Sequence, residues 1–144
     1  MKHRQFIARL DRKLIESAIR KAELKTSGEI CVIIHHKPVA DAIALAQAEF
    51  LRRGLQKTRQ RNAVLIFVAP VSQNFAVIGD EAVHRKCGDA FWQELAAAMT
   101  GHFKEGRFTE GLVQGIERAG SLLARDFPHR PDDQNELPDR VVLQ

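Results

Sequence analysis

The sequence predicts an α/β protein, a small mixed β-sheet sandwiched between helices. Three observations carry this. Residues 63–69, Ala-Val-Leu-Ile-Phe-Val-Ala, are apolar throughout. A run too short for a typical helix, bounded by turn signals and rich in β-branched residues, reads as a strand buried on both faces. Residues 30–34, Ile-Cys-Val-Ile-Ile, repeat the pattern, and strands covered on both faces need helices above and below. Residues 75–79, Phe-Ala-Val-Ile-Gly, form a third short strand, divided from the second by Pro70, Ser72 and Asn74. A turn that short makes the two strands antiparallel neighbours.

The elements follow in order. Asp11 caps a first helix, with Leu10 and Ile15 at the spacing of a hydrophobic staple. Ile15, Ala18, Ile19 and Ala22 make its buried stripe, and Thr26-Ser27-Gly28 ends it. Residues 29–35 are the first strand. Asp41 caps a second helix over 42–53, with Ile43, Ala46 and Phe50 at helical spacing and Gly54 closing it. Strand, helix and strand make a βαβ unit with an expected right-handed crossover. The first two strands are then parallel, and the third runs back against the second.

Asp80-Glu81 starts a third helical region, broken near Cys87-Gly88 and resuming through Trp92, Leu95, Ala96 and Met99. Gly101 and Gly106 read as loop. Thr109 caps a fourth helix with a stripe at Leu112, Ile116, Ala119 and Leu123. The domain is expected over 1–126. Residues 127–144, rich in Pro, Asp and Asn, read as an extended tail anchored by Phe127 and Leu137.

Length and composition agree with one globular domain. The 144 residues are 44% hydrophobic and 28% charged, enough for a core without staples. The basic start, Met1-Lys2-His3-Arg4, lacks the apolar segment of a signal peptide, and no run reaches membrane-span length. A cytoplasmic location is expected. The two cysteines, Cys31 and Cys87, form no Cys-x-x-Cys pair, so they read as buried free thiols. The net charge of +4 permits an anionic ligand or a protein partner without calling for nucleic acid. No Ser-His-Asp order, nucleophile elbow or phosphate-gripping Gly loop is visible, and no organic cofactor is expected.

Strand directions place the polar residues. The starts of the first two strands lie beside the end of the third, which gathers Glu29, Arg61, Asn62, Asp80 and Glu81. Glu29, Asp80 and Glu81 are candidate ligands for Ca²⁺ or Mg²⁺, which take hard oxygen donors. Arg61 and Asn62 are candidate substrate-binding residues. The alternative is an ion-paired sheet edge, with Arg61 neutralising Glu29 or Asp80. At the other end, His35, His36 and Lys37 face the 72–74 turn, but adjacent strand residues point to opposite faces and do not suit one ion. The basic run Arg52, Arg53, Lys57, Arg59 and Arg61 could meet an anion. It lacks interleaved aromatics and also reads as a solvated helix end.

Several segments resemble the TPM-domain family, whose members include thylakoid-lumen phosphatase-like and photosystem II repair proteins. They are Thr26-Ser27-Gly28-Glu29-Ile30, Lys57-Thr58 with residues 61–69, and Phe75-Ala76-Val77-Ile78-Gly79-Asp80. Phe103 with Gly106-Arg107-Phe108, Gly111-Leu112, and Asp133-Gln134-Asn135-Glu136-Leu137-Pro138-Asp139 complete the match, which looks like a cytoplasmic single-domain bacterial member. The resemblance implies the same fold, with divalent-cation binding in some members and acid phosphatase activity in one plant branch. Many exported members carry Asp-Asn-Gly where this chain has Arg61-Asn62-Ala63, so a carboxylate is missing here. The expected function is a binding or protein-maintenance module with weak divalent-cation binding. The alternative is a metal-assisted phosphomonoesterase in which Arg61 orients phosphate.

Overall fold

The computed structural model describes residues 3–129 and 141–144. Two helices, α1 (His3–Ala8) and α2 (Arg12–Glu23), precede strand β1 (Glu29–Ile34). Helix α3 (Ala42–Arg52) leads to β2 (Ala63–Ala69), and a tight turn leads to β3 (Asn74–Gly79). Helices α4 (Glu81–Lys104) and α5 (Phe108–Asp126) follow, and β4 (Val141–Leu143) comes last. The strand order is β3-β2-β1-β4, with β2 antiparallel to β3 and both other pairs parallel. The mixed sheet expected from the apolar runs is present, with one strand more.

Every residue of β1 and β2 is buried. Alternation sends Ile30, Val32, Val64 and Ile66 to a core shared with α2, α4 and α5. Cys31, Ile33, Leu65 and Phe67 point the other way, into a core covered by α3. Burying a side chain of this size contributes roughly 1.5–3 kcal/mol before entropy is counted, so neither face tolerates exposure.

The caps of the first two long helices match the sequence reading. Asp11 accepts from Leu14 N and Asp41 accepts from Ala44 N. Gly88, at φ +74°, interrupts α4 at the expected break, in a conformation that glycine adopts without steric cost.

Five details differ from expectation. The short helix α1 was not anticipated: six residues do not hold a helix alone, and this one is fixed by Phe6, whose ring lies 4.6 Å from that of Phe108. On α3 the buried stripe is Ala42, Ala46, Glu49 and Phe50, while Ile43 is 58% exposed, because α3 leans over β3 as well as β2. Gly101 lies inside α4 rather than in a loop. Thr109 is not the cap of α5, which begins one residue earlier at Phe108. Its buried hydroxyl instead accepts from Asp11 N at 3.0 Å and donates to the Arg9 carbonyl at 3.3 Å, tying α5 to the α1–α2 junction.

The fifth difference concerns the chain end. Phe127 is buried, and Pro128 bridges to Thr26. Beyond it, Val141, Val142 and Leu143 pair with Val32, Ile33 and Ile34 and extend the sheet. Three residues are too few to announce a strand by periodicity. Leu137 and the motif at 133–139 lie outside the described residues.

Candidate functional site

Strand register sets the polar end of the sheet. Glu29 stands opposite Ala63, and Asp80 N donates to the Ala63 carbonyl at 2.9 Å. The five polar residues therefore share one end, as strand direction predicts. Glu29 and Asp80 flank β2 on opposite sides, two strand spacings apart, or about 10 Å along the sheet.

Side-chain partners divide the group. Arg61 grips Asp80 in a two-pronged pair, Nε to Oδ2 at 2.7 Å and Nη2 to Oδ1 at 2.8 Å. Asp80 Oδ1 also accepts from Glu81 N at 2.8 Å, capping α4. The Glu81 carboxylate stands 3.8 Å from the same guanidinium. Hydrogen bonding to Asp80 holds the Arg61 pKa above its ordinary value. Arg61 itself sits in the left-handed region at φ +54°, a conformation better suited to Asp or Asn. Its carbonyl accepts from Ala82 N at 3.2 Å, so backbone and side chain both clamp the start of α4.

The other two residues have different surroundings. Asn62 is buried and donates to Ser27 Oγ at 3.1 Å, toward the α2–β1 loop. Glu29 is buried on the strand face that Cys31 and Ile33 share. Among the described residues, no three metal-ligating side chains gather at one point. The arrangement is an arginine held between Asp80 and Glu81, with Asn62 and Glu29 off to the side.

Several of the remaining candidates have partners elsewhere. Arg52 and Arg53 both bind Glu49, at 2.6 and 3.2 Å, and both reach the side chain of the terminal Gln144. Burial works to raise the Glu49 pKa, but bonds and charge from the two arginines prevail and lower it. Two of the five residues of the basic run, Arg52 and Arg53, thus fasten α3 to Gln144. The His35 ring packs against Phe67 and lies 3.0 Å from Gln144 Nε2, while His36 is exposed. Burial pushes both thiols up to about 11, helped at Cys87 by its hydrogen bond to Asp126. Neither is an activated nucleophile at neutral pH.

Two concave features were not legible in the sequence. The first is a cleft of about 510 Å³ along the free edge of β3. Ile43 and Leu51 of α3 form one wall, His84 and Trp92 of α4 the other, and Arg61 with Asp80 closes one end. Ile43 and Leu51 are 58% and 61% exposed. The Trp92 ring lies on Gly79, where a Cβ would sit 2.2 Å from it. The second is a pocket of about 620 Å³ at the opposite end of the sheet, walled by phenylalanines. Phe75, Phe103 and Phe108 stand in motifs noted above, yet only the fold gathers them with Phe6.

This is a small mixed-sheet α/β domain with an arginine-clamped sheet end and, among the described residues, no strand paired outside β3. The TPM-domain family model matches residues 1–122, and the chain belongs to that family. It is similar to BA42 protein from the psychrophilic bacterium Bizionia argentinensis, solved by NMR. The two are 38% identical over 92% of each chain, with a TM-score of 0.87. It also shares its fold with the N-terminal domain of a P. gingivalis protein, at 16% identity, 79% and 75% coverage and a TM-score of 0.63. Comparison with curated proteins finds no match. No helix among the described residues is long and apolar enough to cross a membrane.

The raised thiol pKa has a consequence for stability. The unfolded chain releases the Cys31 proton near its ordinary value of 9.0, whereas the folded chain holds it to about 11. The resulting stabilisation is complete below the lower value and disappears as pH rises through the upper one. Urea unfolding across this range should show native protein losing stability more steeply than Cys31→Ala. Parallel slopes would contradict the assignment.

Proposed function

We propose that this TPM domain is a binding module, of the kind a protein-maintenance role needs, and that it captures an extended polypeptide segment in the β3-edge cleft. The observation that carries this reading is the β3 edge, unpaired among the described residues, between the exposed Ile43 and Leu51 and the half-buried Trp92. Asp80 N bonds to Ala63 O, so alternation along the antiparallel pair turns the backbone of Ala76 and Ile78 toward β2. The main-chain groups of Phe75, Val77 and Gly79 face outward. Free edges are usually blunted by charge, proline or a covering element. Here Ile43 and Leu51 border the edge instead. Strand addition gives such a ligand its main-chain bonds, and side pockets give it selectivity.

Trp92 is the chain's single tryptophan and lines this cleft, so its fluorescence reports occupancy. A blocked hexapeptide of alternating valine and threonine should perturb that fluorescence and shift the amides of Phe75 and Val77. Val77→Pro removes an outward N–H while sparing the bonds to β2, and should lower affinity at least tenfold. Ile43→Asp should weaken binding without unfolding the chain. Equal binding by native protein and both variants would sink the proposal.

Weak divalent-cation binding at Asp80 and Glu81, without the more distant Glu29, belongs to the same reading. The Arg61 guanidinium stands between the first two carboxylates, so Ca²⁺ or Mg²⁺ binds in competition with it. Oxygen sites of low charge count bind in the range of about 10⁻⁴–10⁻³ M. Arg61→Gln frees both carboxylates and should tighten Ca²⁺ binding, followed through the Asp80 and Glu81 amides. Unchanged or weaker affinity would remove the cation from this account. The phosphomonoesterase alternative has less support, because the Arg61 fork that would hold phosphate is committed to Asp80.

A further inference from the structure

The phenylalanine-walled pocket lies at the far end of the sheet from the Arg61–Asp80 pair. Val68, near the end of β2, forms part of its lining. Ligands of open α/β sheets gather beyond the carboxyl ends of parallel strands. Its volume of about 620 Å³ falls among small-molecule sites. Phe6, Phe75, Phe103 and Phe108 supply the apolar walls. The Phe75 and Phe103 rings meet edge to face at 5.4 Å, a favoured arrangement that keeps the wall in shape.

The polar groups of the lining narrow the ligand chemistry. Asn74 accepts from Ser72 Oγ and donates to the Val39 carbonyl, both at 3.1 Å. Thr100 donates to the Ala96 carbonyl at 2.8 Å. These groups are already occupied by internal partners. Cationic groups stand at the pocket: Lys104 lines it, and the Arg9 guanidinium lies beside Gly106 and 6.0 Å from the Phe108 ring centroid. The neighbouring Arg107 is paired with Glu105 at 2.6 Å. An apolar interior with positive charge at its border complements a molecule that has a hydrocarbon body and one anionic end.

We infer that this pocket is a second binding site, separate from the β3-edge cleft, and that it takes an aliphatic monocarboxylate. The hydrocarbon chain lies among the four phenylalanines, and the carboxylate meets Lys104, with Arg9 adding to the local positive field. Removing apolar surface from water supplies the attraction. The charge-assisted bond to Lys104 supplies the preference for an acid over an alcohol of the same length.

Titration of the full chain with octanoate, read by backbone and aromatic chemical shifts, tests this. Shifts should concentrate at Phe6, Phe75, Phe103 and Phe108 and leave Trp92 fluorescence unchanged. Acetate, lacking the chain, and octanol, lacking the charge, should each bind at least several-fold more weakly. Lys104 is exposed, so Lys104→Gln should fold normally while losing about tenfold in octanoate affinity and little for octanol. Octanoate shifts at Trp92 instead of the pocket would overturn the proposal. Octanol binding as tightly as octanoate, or no change in Lys104→Gln, would do the same. The outcome is independent of peptide capture at β3.

Discussion

Every residue of β1 and β2 is buried. Covering both faces of this parallel pair governs where every helix goes. One face is covered by α2, α4 and α5, and the other by the single helix α3. A parallel connection needs a crossover, and α3 serves as both crossover and cover. With β4 added on one side of the pair and β3 on the other, the sheet ends in two edges. What the molecule offers a partner is decided by how well one helix shields its face and how much of β3 remains beyond it.

The polar end follows from the same constraint. Turning the chain from β2 into β3 and back into α4 brings residue 61 beside residue 80. The Arg61–Asp80 pair and the Asp80 cap then lock β2, β3 and α4 together. An internal cation, Arg61, stands against the two acids of this end. The pair acts as a structural clamp, and the β3-edge cleft opens beside it.

How much was legible in the sequence depended on whether a feature is local. The strands at 29–34 and 63–69 were readable because burial on both faces leaves an unbroken apolar run. Two helix caps and the Gly88 break were readable from single residues with specific backbone roles. Helix α1 and strand β4 were not, since six and three residues gain their order from distant contacts. The phase of α3 was misread at Ile43 because tilt over β3, not periodicity alone, decides which side chains are covered. Strand direction correctly collected the polar residues at one end. The ion-paired alternative named Glu29 or Asp80 as the partner of Arg61, and the fold selects Asp80; that Asn62 would turn to Ser27 was not legible. The phenylalanine pocket draws on residues scattered from 6 to 108, so only the assembled fold reveals it.

Amide hydrogen exchange along β3, measured residue by residue, tests the central claim that this edge is open. In the free protein the Ala76 and Ile78 amides should be protected by their bonds to β2, while Phe75 and Val77 exchange quickly. Protection of Phe75 and Val77 equal to that of their neighbours would mean the edge is already covered, and the molecule would need another binding surface.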